Sequence, residues 1–227
     1  MSHFALEAEL AAPVQRWMQR QGLRVKAEYR TPWGICDLVG IALDKHRVKQ
    51  RRKAGHHKAL GRIERIGVLE LIPTQASGSA IRLTDLLSAA QTNMGITVER
   101  ELDWLLRNGF VRWSSERSLQ RMDSWAPLQQ RIVAIELKLQ RITEALAQAN
   151  NHSPLTRERY VALPLDAARR ACRLRTQDFR HAGVGLLGVL PSRCYTLLHP
   201  GEHVPPEDTL EQRHCVERFW RTHFKDS

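Results

Sequence analysis

Arg131 to Lys138 reads Arg-Ile-Val-Ala-Ile-Glu-Leu-Lys, and it restricts the fold of this chain more than any other stretch. Four apolar residues give way to a carboxylate and an amine two positions apart. Side chains alternate across a strand, so Glu136 and Lys138 fall on one face while Ile135 and Leu137 fall on the other, in the core. An acid and a cation side by side at the end of a buried strand have two readings. One is a structural ion pair at the edge of a core, since neither group is cheap to bury unpaired; the other is a site.

The surrounding pattern places that strand in a sheet flanked by helices. Leu6, Leu10, Val14, Trp17 and Met18 recur at helical spacing between Phe4 and Gln21, and Gly22 supplies a stop. Leu23 to Tyr29 alternates, Thr31 to Gly34 reads as a turn, and Ile35 to Leu43 is an apolar run interrupted by Asp37, which predicts a hairpin. A lone carboxylate in such a strand needs a partner, either at an edge, in an ion pair or at a metal. Further on, Thr143 to Asn150 is helical, Arg159 to Leu165 is a strand ending at Pro164, and Ala167 to Phe179 is helical. Val184 to Leu190 is a wholly apolar strand with Cys194 to Leu198 as its hairpin partner, and a last helix runs from about Thr209 to Phe224. Apolar runs without alternation are strands covered on both faces, so the expected class is α/β, a mixed central sheet with helices on its faces.

The 227 residues carry a formal charge of +11, which allows one large domain or two small ones and biases partners toward polyanions, nucleic acid first. Much of the excess lies in Lys45 to Lys58, KHRVKQRRKAGHHK, which has no acid and almost no apolar residue. It reads as a mobile basic linker, with Arg47, Lys49, Arg51, Arg52 and Lys53 suited to phosphate contacts, or as a solvated connector without a partner. The four cysteines form no Cys-x-x-Cys pair, so a disulfide framework or zinc ribbon is not expected, and they read as reduced. His56-His57 and His199 with His203 lack a stable zinc geometry. The amino terminus has no basic region followed by an apolar run, and no apolar stretch is long enough to span a bilayer, so a cytoplasmic protein without a membrane partner is expected.

Between these parts lie three short helical patterns, Ile63 to Leu71, Thr84 to Gln91 and Thr97 to Arg107, the last with Thr97 as a cap and Asn108-Gly109 as a stop. Phe110 to Trp113 and Ser118 to Met122 then make a basic strand pair. This segment resembles a winged helix-turn-helix through its third helix and the ending LLRNGFVRW. In that family the third helix usually enters the major groove. Here Glu99, Glu101 and Asp103 mix with Arg100 and Arg107, so the resemblance implies either DNA contact, with Arg112, Arg117 and Arg121 of the wing contributing, or a protein-protein module.

Taken in order, helix, strand, strand with Asp37, insertion, strand with Glu136-x-Lys138, helix, strand, helix and strand, the chain resembles the PD-(D/E)xK superfamily of restriction-endonuclease-like nucleases. The resemblance covers everything outside the insertion. It implies nuclease-like parts at 1–44 and 125–227, a basic linker at 45–58 and an inserted winged helix at 59–124. Asp37 takes the place of the first aspartate, Glu136 the second acid and Lys138 the lysine. Gln148 stands where many members carry a glutamine. Cys36 replaces the motif's proline, and His152 stands where some relatives have tyrosine. The family's first helix often offers a glutamate; Glu7 fits the helical phase better than Glu9, or both are surface acids.

What the resemblance implies is a Mg²⁺-dependent DNA endonuclease, with Mn²⁺ able to substitute, that leaves 5′-phosphates. Two carboxylates, Asp37 and Glu136, make a hard oxygen site for Mg²⁺, which binds phosphate oxygens and lowers the pKa of a bound water. Lys138 orients that water or neutralises charge on the phosphate, and Gln148 is auxiliary. Such nucleases often act as homodimers or in larger complexes. The rival reading is a DNA-binding, regulatory or assembly protein that keeps the fold without cutting.

Overall fold

Tyr160, Val161, Ala162 and Leu163 are all buried, yet they alternate between two sets of neighbours. They lie in β7 (Glu158–Pro164), and the alternation shows that both faces of its sheet are covered. The computed structural model describes residues 4–94, 98–201 and 209–223, and the chain divides into two units: Met1–Ala42 with Gln129–Thr209, and Leu43–Leu128 with Leu210–Ser227.

Among the described residues the first unit is built on a six-stranded mixed sheet. Its strands are β1 (Arg24–Thr31), β2 (Gly34–Leu43), β6 (Gln129–Leu137), β7, β8 (Gly185–Val189) and β9 (Cys194–Leu198), neighbours in that order. β1 with β2 and β8 with β9 are antiparallel, whereas β6 with β7 and β7 with β8 are parallel. The parallel pairs require crossovers, supplied by α6 (Ile142–Asn151) and by α7 (Leu165–Leu174) with α8 (Thr176–Ala182). One face packs Leu10, Val14 and Met18 against Leu38, Ile135, Leu137, Tyr160 and Ala162; Val14 and Met18 belong to α1 (Ala11–Arg20). The other face packs Ala145 and Ala149 of α6, Ala168 and Ala171 of α7 and Phe179 of α8 against Val161, Leu163 and Leu186. Gly185 and Gly188 keep β8 thin: a Cβ on Gly185 would strike the Tyr160 ring and approach the Leu198 carbonyl to 2.9 Å.

The second unit holds α2 (Lys45–Lys53), α3 (Ile63–Leu71), α4 (Leu83–Met94), α5 (Val98–Arg107) and α9 (Leu210–His223). A three-stranded antiparallel sheet joins them, β3 (Ile81–Arg82), β5 (Ser118–Arg121) and β4 (Val111–Ser115) in that order. Its core gathers Ile66, Leu69, Leu86, Leu102, Leu105, Phe110 and Trp125. α5 stops at Gly109, whose φ of 72° gives a helix ending that glycine adopts without strain. The cap expected at Thr97 lies outside the described residues, as do His203 and Phe224.

Three expectations need correction. Lys45 to Lys53 is a helix and not a mobile linker, capped by Asp44, whose Oδ1 accepts from the His46 and Arg47 amides at 2.8 and 3.1 Å. Arg51 on that helix is fully buried and meets Glu217 of α9 in a two-pronged pair at 2.5 and 2.8 Å, so it is not open to phosphate. Glu217 also accepts from the Leu60 amide at 3.0 Å. The basic segment and the last helix therefore belong to the second unit, with residues 43–128 and 210–227 together where a linker, an insertion and the end of the sheet domain were expected. Finally, the first helix begins at Ala11, and Glu7–Leu10 is a 3₁₀ turn. Among the described residues no helix is long and apolar enough to cross a membrane.

Candidate active site

β2 and β6 are neighbours in the sheet, and each brings one acid to the same place. Asp37 Oδ2 accepts from the Leu137 amide at 2.7 Å, which pins the β2 carboxylate to the last residue of β6. Burial pushes the Asp37 carboxyl up to about 6; the Glu136 carboxylate beside it adds to this, while the Leu137 amide and the Lys138 charge oppose it. Two acids held this closely repel unless a proton or a cation lies between them.

Glu136 is almost wholly buried, and its Oε1 lies 3.0 Å from His152 Nε2. His152 caps the C-terminal end of α6, four residues after Gln148, so the two share one helix face. Both leave a polar atom unsatisfied: His152 Nδ1 and Gln148 Oε1 are buried without a hydrogen-bond partner. Gln148 thus stands on the expected helix, with its oxygen orphaned and not bonded to the lysine or the acids.

Lys138 follows β6, its side chain only 12% exposed, and its Nζ lies 3.2 Å from Glu7 Oε2. The other Glu7 oxygen lies 3.4 Å from the Leu139 amide. Glu9 turns away, its Oε2 accepting from the Ala5 and Leu6 amides at 2.7 and 3.2 Å, so Glu7 is the acid that reaches the lysine. The structure brings together Asp37, Glu136, Lys138 and Glu7. It adds His152 and Cys36, whose Sγ lies within 4.8 Å of the ligand atoms of Glu136 and His152. Burial, with Glu136 second, holds the Cys36 thiol well above its ordinary range. The sequence signal for these two was weak, because each appeared only as a departure from a motif.

Directly after Lys138, the residues Leu139, Gln140 and Arg141 line a cavity of 590 Å³ that Arg170 and Arg175 also border. Asp166 also lines it, and Arg141 and Arg175 pair with Glu144 and Asp178, so the wall has mixed charge with a cationic excess.

The cations expected to touch DNA divide into three groups. Lys49, Arg52, Lys53, Arg112 and Arg117 are exposed. Arg47 is half-exposed and donates to the Pro127 carbonyl at 2.6 Å. Arg51 and Arg121 are structural: burial lowers the Arg121 pKa, and its guanidinium lies 5.4 Å from the Trp125 ring centre. Among the acids on α5, Glu101 is buried and gathers Arg62, Arg65 and Arg100 at 3.1, 2.8 and 2.8 Å. Burial opposes its ionisation, but the three guanidiniums prevail and hold its pKa below the ordinary value. His56 is also structural, with Nε2 2.7 Å from the Gly109 carbonyl oxygen, Nδ1 3.2 Å from Ser124 Oγ and its ring stacked on Phe110.

No protein-family model, curated protein or solved structure significantly matches this chain.

Proposed function

We propose that the protein is a Mg²⁺-dependent nuclease of the restriction-endonuclease-like kind that hydrolyses phosphodiester bonds in DNA. The observation that carries the reading is the meeting of Asp37 on β2 with Glu136 on β6, beside Lys138 and Glu7. A carboxylate pair that repels itself is a hard oxygen site with an unmet need for positive charge, which Mg²⁺ supplies along with a polarised phosphate and an activated water. Asp37 and Glu136 would hold the ion. Lys138, released from Glu7 by an incoming phosphate, steadies negative charge that develops on it. Arg141, Arg170 and Arg175 line the adjoining cavity and suit neighbouring phosphates.

The second unit reads as a winged helix, with α3, α4 and α5 as its helices and β4 and β5 as the wing. The exposed cations of α2 and the wing supply its attraction for DNA, because the exposed face of α5 mixes Glu99 and Asp103 with Arg100 and Arg107. The test is cleavage of plasmid DNA with Mg²⁺ or Mn²⁺, with EDTA, and by Asp37→Asn, Glu136→Gln and Lys138→Ala. Loss of cutting in EDTA and in all three variants is expected; unchanged cutting by them ends the assignment.

One observation favours a second reading, a DNA-binding or assembly protein that keeps the fold without cutting. Each member of the set already has a protein partner: Asp37 the Leu137 amide, Glu136 His152, and Lys138 Glu7. A thermal-shift titration separates the two, since a Mg²⁺ site stabilises the folded chain by mass action and an idle site does not.

A further inference from the structure

Cys36, Glu136 and His152 form a cluster that shares only Glu136 with the acid pair. A Cys36 sulfur, a Glu136 oxygen and a His152 ring nitrogen all lie within 4.8 Å of one another, and the three residues are 0%, 2% and 2% exposed. They come from β2, β6 and the end of α6, so the sheet and its crossover helix hold them in place. Tetrahedral zinc bonds of about 2.0–2.3 Å give ligand-to-ligand edges of about 3.5 Å, so with every separation inside 4.8 Å no pair needs to close by more than about 1.3 Å. Thiolate and imidazole select zinc-like cations, whereas Mg²⁺ prefers oxygen alone.

Two further observations bear on how the cluster could take an ion. The buried His152 has no hydrogen-bond partner at Nδ1, so that nitrogen can carry the ring proton when Nε2 turns to an ion. Cys36 Sγ has the Leu38 and Ile135 carbonyl oxygens at 3.3 and 3.6 Å beside the Glu136 and His152 atoms, and one thiol proton serves one of these acceptors at most.

We propose that Cys36, Glu136 and His152 bind Zn²⁺ and that the bound ion withdraws Glu136 from the Mg²⁺ site, so that zinc switches cleavage off. The second half rests on the nuclease reading; the first half stands without it. On binding, the Cys36 thiol gives its proton to solvent as the sulfur-zinc bond forms. The proton between His152 Nε2 and Glu136 leaves Nε2 and the ring carries its proton on Nδ1 instead, so that Nε2 and the carboxylate both turn their lone pairs to the ion. A fourth position stays open to water or to Asp37.

The test begins with Co²⁺, which reports a sulfur ligand through a near-ultraviolet charge-transfer band. Wild type should show the band at one equivalent and lose it when Zn²⁺ is added. Cys36→Ala and Cys36→Ser should lack it although Cys172, Cys194 and Cys215 remain, and His152→Gln should weaken Co²⁺ binding. No band in the wild type, or an unchanged band in both Cys36 variants, overturns the proposal. Cleavage in Mg²⁺ is then measured with and without equimolar Zn²⁺ and read as a ratio for each protein. Zinc should slow the wild type at least about tenfold and leave the ratio for Cys36→Ser near one, as a thiolate-imidazole site requires. Equal ratios in the two proteins would overturn the inhibitory role. If neither protein cuts DNA, the nuclease reading and the inhibitory role built on it fall together, while the cobalt spectrum still decides whether the metal site exists.

Discussion

Replacing Asp37 by Asn tests the idea that the site is an acid pair held against its own repulsion. Asp37 is raised from an ordinary 3.8 to about 6, mainly by burial and then by Glu136. Between those values the folded chain holds a proton that the unfolded chain has released. Stability from this group therefore falls as pH rises from about 4 to about 6, and the full penalty persists at higher pH. A rise of this size is worth about 3 kcal/mol for a fully shielded group and roughly 1–2 kcal/mol for one that is partly open to solvent. Asn keeps the shape, and its oxygen can still accept from the Leu137 amide. The Asp37→Asn chain should therefore be more stable than wild type by roughly 1–2 kcal/mol at pH 8 without metal, with the gap narrowing to about a third of that at pH 4.5. Urea denaturation at the two pH values, followed by circular dichroism, measures this. A variant less stable than wild type at pH 8, or a gap that ignores pH, would refute the reasoning. Mg²⁺ should reverse the order, since only the wild type keeps both charges that attract it; Mg²⁺ binding should also weaken as pH falls below about 6.

The other predictions concern parts of the chain away from the acids. Glu217→Ala leaves the fully buried Arg51 without its carboxylate and should cost about 3–5 kcal/mol in urea denaturation; a loss under about 1 kcal/mol would make the pair incidental. Replacing Lys49, Arg52 and Lys53 together by Ala should lower the salt slope of DNA binding by about two to three units while the fold survives, and coincident slopes would remove α2 from the interface. Arg51 is left intact in that variant because its loss would disturb the unit's core. Gly185→Ala should cost about 1–3 kcal/mol or more, read as a fall in Tm, because the new methyl meets the Tyr160 ring and the Leu198 carbonyl together.

How far the sequence could be read depended on the distance between partners. Glu136 and Lys138 were legible because a strand carries its own rule: period two put Ile135 and Leu137 into the core, and the structure buries both there. The helix stop at Asn108-Gly109 was legible for the same local reason. Lys45 to Lys53 was not, since hydrophobic spacing is the main helix signal and this helix has little but Val48 to offer it. Its stability comes from the Asp44 cap and from Arg51, whose partner lies 166 residues later. No local pattern reports such a pair, and a run of positive charge looks like a solvated arm when one of its members is in fact inside. α5 misled in the opposite sense. Glu101 counts as an acid on the helix in sequence, but three guanidiniums close over it, so the exposed face is less acidic than its composition.

The candidate site combines both situations. Asp37 and Glu136 lie 99 residues apart, and only an ordered set of strands with a family resemblance suggested that they meet. Cys36 and His152 read only as departures from the family pattern, the one in place of a proline and the other where some relatives have tyrosine. Yet they sit against the same carboxylate, one with a thiol shared between two carbonyl oxygens and the other with an orphaned nitrogen. Glu136 is thus shared between an oxygen-rich side, which suits Mg²⁺, and a sulfur-nitrogen side, which suits zinc. On the two proposals made above, one carboxylate would serve both, and the two cations would compete even though their other ligands differ. Asp37→Asn should therefore weaken Mg²⁺ binding while leaving the cobalt-sulfur band in place, and Cys36→Ser should do the reverse. A variant that abolishes both at once without unfolding is expected only at Glu136, and Glu136→Gln, compared by metal titration and circular dichroism, is the change that checks it.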